Sequence, residues 1–149
     1  MRTLIGSLLI GFVFVASALA ELRDRTPKEL SEGSTNIVTG RVLAIYARDV
    51  ETELYGKGTI ETKSVVEIEV GGVEKGDGIK EKDVIYVRCW HLKKRGALER
   101  PGPVGHDIPK TGERVRAYLV RGGLSPTEKP DAGLAAVEPN GLAPLSSEK

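Results

Sequence analysis

The sequence holds one cysteine, Cys89, so no disulfide can form within the chain and folding must rest on burial. Aromatic residues make up only 5%, and Phe12 and Phe14 lie among the first 20 residues. That leaves Tyr46, Tyr55, Tyr86, Trp90 and Tyr118 for the rest of the chain. An excess of one charge is also missing: 22 Lys+Arg stand against 21 Asp+Glu, and without Arg2 the balance is 21 against 21. Such a chain has no overall field to recruit nucleic acid or an anionic membrane, so no nucleic-acid partner is expected. The sequence contains no Gly-x-Ser-x-Gly, no His-Glu-x-x-His and no glycine-rich phosphate loop followed by Lys-Ser/Thr. Nor does it place a base at a known spacing from its cysteine. These absences point away from an enzyme and from a cofactor. Internal repeats and low-complexity blocks are missing too.

One long apolar run is present. Residues 4–15 form a 12-residue stretch behind the single positive charge of Arg2, and Ala16-Ser17-Ala18-Leu19-Ala20 supplies the small-x-small pattern that signal peptidase reads before Glu21. The run is shorter than the roughly 20 residues that span hydrocarbon, so a membrane anchor is the weaker reading. No cysteine follows it to carry a lipid. The expectation is a signal peptide over residues 1–20, an exported product that is periplasmic or secreted, and no stable membrane anchor after cleavage. A single domain over residues 21–145 and a polar tail over 146–149 complete the organisation.

After the signal, Thr26-Pro27-Lys28-Glu29 has capping-box spacing with proline at the first helical position, and predicts a short helix ending near Gly33. Over the chain after residue 20, 20 Val+Ile stand against 11 Leu, and beyond the helix the apolar residues fall in short runs bounded by Gly, Pro, Asp and Lys. Strands are predicted over residues 36–48, 60–73, 83–92, 114–121 and 134–138, with a short return at 142–145. Gly40 inside the first predicts a bulge or bend. Val66, Ile68 and Val70 alternate with Glu67 and Glu69, which gives one buried and one wet face. Residues 93–112 hold Pro101, Pro103 and Pro109 and four glycines, so they form an irregular connector of the length often used for function.

Five short strands and a lean core predict a mainly β fold, a small five-stranded barrel with a short N-terminal helix, because closure removes exposed sheet edges. Particular segments also carry a resemblance. Asn36-Ile37-Val38-Thr39-Gly40-Arg41-Val42, Val66-Glu67-Ile68-Glu69-Val70 with Glu74-Lys75-Gly76-Asp77-Gly78, Lys82-Asp83-Val84-Ile85-Tyr86-Val87, and Thr111-Gly112-Glu113-Arg114-Val115-Arg116-Ala117-Tyr118-Leu119 follow one another after the helix. In that order they resemble exported bacterial OB-fold proteins related to netrin-like and metalloproteinase-inhibitor domains. Val87-Arg88-Cys89-Trp90 and Glu138-Pro139-Asn140-Gly141 are similar to small secreted proteins of planctomycete type. The resemblance covers most of the chain after residue 20 and implies an OB-like (netrin-like) barrel. Those inhibitors chelate the protease metal through an N-terminal cysteine, whereas Glu21 stands at the expected mature terminus, so inhibition by that route is not implied.

Two groups of residues carry candidate chemistry. Arg88, Lys93, Lys94, Arg95 and Arg100 surround Trp90, a basic approach with a stacking ring that suits an anionic polysaccharide or an acidic protein; the plain alternative is a solvated loop shoulder. Trp90 itself reads equally as a core or cap residue whose indole N–H needs a partner, with backbone carbonyls of the 93–112 segment as candidates. Cys89 and His91 are two apart and share a strand face, so with His106 they could offer copper or zinc a thiolate and two imidazoles. Against that reading, Cys89 can be a buried small hydrophobe and His106 a loop surface residue. The leading expectation is an exported, non-enzymatic binding or interaction module. The alternative is a periplasmic metal-binding protein using Cys89, His91 and His106. A third is a part of a secreted assembly linked through an exposed Cys89.

Overall fold

The computed structural model describes residues 23–53, 56–96, 104–122 and 133–145. The expected signal peptide, the tail at 146–149, Tyr55 and Arg100 lie outside the described residues.

The chain enters through helix α1 (Pro27–Gly33), whose start is fixed by reciprocal capping. The Thr26 amide donates to the Glu29 carboxylate at 2.7 Å, and the Glu29 amide donates to Thr26 Oγ1 at 3.3 Å. Arg23 adds two hydrogen bonds to the same carboxylate, at 2.6 and 3.2 Å. Seven residues are too few to hold a helix in water. What retains this one is Leu30, buried against Ile37, Tyr118 and Val137.

The rest is mainly β. Strands β1 (Asn36–Thr52), β2 (Thr59–Lys75) and β3 (Val84–Lys94) form an antiparallel meander, followed by β4 (Arg114–Arg121), β5 (Leu134–Ala136) and β6 (Leu142–Pro144). β3 pairs with β5 in parallel, β5 pairs with β4, and β4 returns to β1, so five strands close into a ring. β6 continues along the same edge of β4 as β5, opposite the edge that β1 takes, with Val115 opposite Pro144 and Ala117 opposite Leu142.

Alternation fills the ring. Val66, Ile68 and Val70 of β2, Ile85, Val87 and Cys89 of β3, and Val115, Ala117 and Leu119 of β4 point inward onto Val38 and Val42. β1 keeps pace with its neighbours by shifting register at three places, one of them between Thr39 and Gly40. The outside of the ring is treated unequally. Around the first half of β1, β4 and β6 it is covered by α1 and Val137. Along the second half of β1, β2 and β3 it is open, and it bears exposed Leu43, Tyr46, Val84 and Tyr86.

Candidate functional site

Register decides which side chains share the open face. Opposite residues on antiparallel strands point the same way, and so do residues two apart. Three successive rows follow across β1, β2 and β3: Ala44, Glu67 and Tyr86; Tyr46, Val65 and Arg88; Arg48, Lys63 and Trp90. Three of the chain's few aromatics thus meet on one face. Tyr46 and Tyr86 are 56% and 55% exposed, unusual for large rings on a small domain.

Glu67 lies between those two rings. Tyr46 Oη donates to its carboxylate at 2.8 Å, and this hydrogen bond, followed by the carboxylate's charge, raises the phenol's pKa above its ordinary value. At the other end of the face Arg48 stands directly opposite Lys63, and among the described residues neither has an ion-pair or hydrogen-bond partner. Arg88 is anchored at the margin, where it donates to the Gly122 carbonyl at 2.8 Å.

The basic approach expected around Trp90 is split by the pleat. Arg88 and Trp90 belong to the open face, whereas Lys93 turns to Asp49 in a 2.5 Å ion pair. That contact, with a second hydrogen bond from Thr62 at 2.7 Å, holds the Asp49 carboxyl below its ordinary pKa. Lys94 is exposed and Arg95 half-buried at the end of β3. Trp90 does not take a loop carbonyl as partner: its indole N–H donates to the Glu138 carboxylate, brought alongside by the parallel β3–β5 pairing.

Among the described residues of the 93–112 segment, Val104, Gly105 and His106 are tied to β3. Gly105 bridges to His91, and the amide of His106 donates to the Trp90 carbonyl at 2.7 Å. A side chain at Gly105 would run into the Trp90 backbone, and its φ of 84° favours glycine as well. His106 is therefore not on the surface but only 4% exposed. In its Nε2–H tautomer the ring donates to the Ala136 carbonyl at 3.0 Å and accepts the Trp90 amide at 3.3 Å. Its two nitrogens serve as a backbone clamp between β3 and β5.

Cys89, His91 and His106 are not brought together as a ligand set. Among the described residues no group of three His, Cys, Asp or Glu is placed to hold a metal ion. Cys89 is 3% exposed in the core, and burial pushes its thiol up to about 12, the reverse of what a thiolate ligand requires. The same burial removes the exposed thiol that an assembly linked through Cys89 would need.

Tyr46, Arg48, Lys63, Glu67 and Tyr86 did not stand out in the sequence. Each reads alone as the wet side of an alternating strand, and only the pairing of three strands gathers them. No protein family, curated protein or solved structure matches this chain.

Proposed function

We propose that this protein is an exported, non-enzymatic OB-like barrel that acts as a binding module, with the open outer face of β1, β2 and β3 as its contact surface. The observation that carries the reading is the convergence of Tyr46, Tyr86 and Trp90 with Arg48 and Lys63 on a stretch of outer wall that α1 does not cover. Supporting the OB-like part is the strand order, a meander closed through a parallel β3–β5 pair onto β4. Barrels of that kind bind oligosaccharides and oligonucleotides on the same wall. The partner is an anionic polysaccharide or an acidic protein.

Two measurements test it. Intact mass of the product from an expressing bacterial cell should correspond to a chain beginning at Glu21; retention of residues 1–20 would refute export by cleavage. For the surface, the photo-crosslinker p-benzoylphenylalanine is introduced in place of Tyr86 or, as a control, in place of exposed Lys110. Because it inserts into C–H bonds of sugar and protein alike, adducts are expected at position 86 and not at 110. Adducts at 110 alone would put the contact surface elsewhere.

A further inference from the structure

The open face supports a narrower assignment, which rests on the binding-module reading above. We infer that its ligand is an acidic polysaccharide, a hydroxyl-rich chain bearing carboxylate or sulfate groups, laid flat across β1, β2 and β3.

One end of the face is cationic. Arg48 and Lys63 are direct cross-strand neighbours, and like charges so placed destabilise a sheet. The chain has one other such pair, Arg41 opposite Arg114, and there Glu69 of β2 faces Arg41 from its other side; elsewhere Arg23 meets Glu29, Lys28 meets Glu32, Lys93 meets Asp49 and Arg116 meets Glu74. An unrelieved cation pair on the same wall as exposed rings is the local feature that an anion would offset.

The other end of the face suits hydroxyl groups. Tyr46 and Tyr86 present flat apolar faces to the C–H faces of sugar rings, and each has a phenol to hydrogen-bond at the rim. Glu67, between them, already accepts one hydroxyl, that of Tyr46. A carboxylate takes hydrogen bonds from hydroxyl groups and repels acidic side chains and phosphates. An acidic peptide or a single-stranded nucleic acid would satisfy Arg48 and Lys63 but would be opposed at Glu67. A sugar chain that carries both acid groups and hydroxyls satisfies both ends.

The shape of the face also suits a chain. Three alternate positions on three adjacent strands make a patch about 13 Å long and about 10 Å wide, which suits an extended chain of a few rings and not an enclosed small molecule.

The test uses the purified exported protein and five probes: alginate as a polyuronate, dextran sulfate, neutral dextran, poly-glutamate and a thymidine oligonucleotide. Affinity is read by isothermal titration. At least one acidic polysaccharide should bind about tenfold or more tighter than dextran, poly-glutamate and the oligonucleotide. Arg48→Gln with Lys63→Gln should weaken it at least about tenfold. Tyr46→Ala with Tyr86→Ala should do the same, whereas Tyr46→Phe with Tyr86→Phe keeps the stacking and retains most of the affinity. The phenylalanine pair and an unchanged circular dichroism spectrum guard against loss of fold. Equal binding of dextran would show that the cations are unused, and overturns the inference. So does equal or tighter binding of poly-glutamate or of the oligonucleotide, and so does failure of both acidic polysaccharides. Crosslinking at position 86 in the face of any of these results leaves the contact surface standing and removes only the ligand class.

Discussion

Cys89 lies with Val87 in the interior of the ring, and burial pushes its thiol up to about 12 from 9.0. Such a group should resist iodoacetamide at pH 8 in the folded protein and react once the chain is unfolded in guanidinium. The shift also has a sign in stability. The folded state keeps its proton to higher pH than the unfolded state does, so the group's contribution is intact below about pH 9 and is lost as pH rises toward 12. Denaturation curves taken between pH 8 and 11 should therefore fall more steeply for the wild type than for Cys89→Ala. Residue identity alone marked Cys89 as unable to form an internal bridge, but not as buried. Likewise Trp90 announced a need for a hydrogen-bond partner without indicating Glu138, which lies 48 positions away.

At the scale of elements, periodicity located the strands well because their inward faces are Val and Ile at alternate positions, as in Val66, Ile68 and Val70. It placed the end of β1 too early. β1 continues to Thr52, where the mostly polar stretch Arg48 to Thr52 stays extended because β2 pairs with it out to Thr59. That pairing is a tertiary fact, and polar residues in a hairpin give no periodic signal of it. Gly40 was legible for a local reason, and its substitution is correspondingly severe: a Cβ there meets the Glu69 carbonyl oxygen and lies 2.6 Å from Ile68 Cγ2. Backbone on the adjacent strand cannot yield as a side-chain tip can. Gly40→Ala should cost about 1–3 kcal/mol, measured as a lowered urea midpoint with an unchanged slope. The helix start supplies a second element-level prediction. The Arg23 hydrogen bond and the Thr26 cap hold the Glu29 carboxyl at about 2, below its ordinary 4.5. The cap's contribution is present above about pH 4.5 and is lost as pH falls toward 2, so Glu29→Gln should flatten the acid limb of the stability curve over that window.

For the whole molecule, strand order is what the sequence withheld, because alternation says which face is wet but not which strands are neighbours. Closing the ring through β4 and β1 gives the wall two unlike halves, one under α1 and one open. The open half places Arg48 opposite Lys63, and among the described residues neither side chain has an ion-pair partner, although Glu61 stands two residues along β2 from Lys63; like charges so placed work against stability. If that pairing serves ligand binding, stability and affinity must trade against each other at this pair. Lys63→Glu decides it. The new carboxylate opposite Arg48 converts repulsion to attraction and should raise unfolding free energy by about 0.2–1 kcal/mol without ligand. The same change adds a negative charge to the face and should abolish binding of alginate and dextran sulfate. A saturating acidic polysaccharide stabilises what it binds, by about 2.7 kcal/mol at a hundred times Kd. Heated alone, the variant should therefore outlast the wild type; heated with the polysaccharide, the order should reverse. A variant that is more stable in both conditions would mean that the cation pair is a defect the protein tolerates and not a surface it uses.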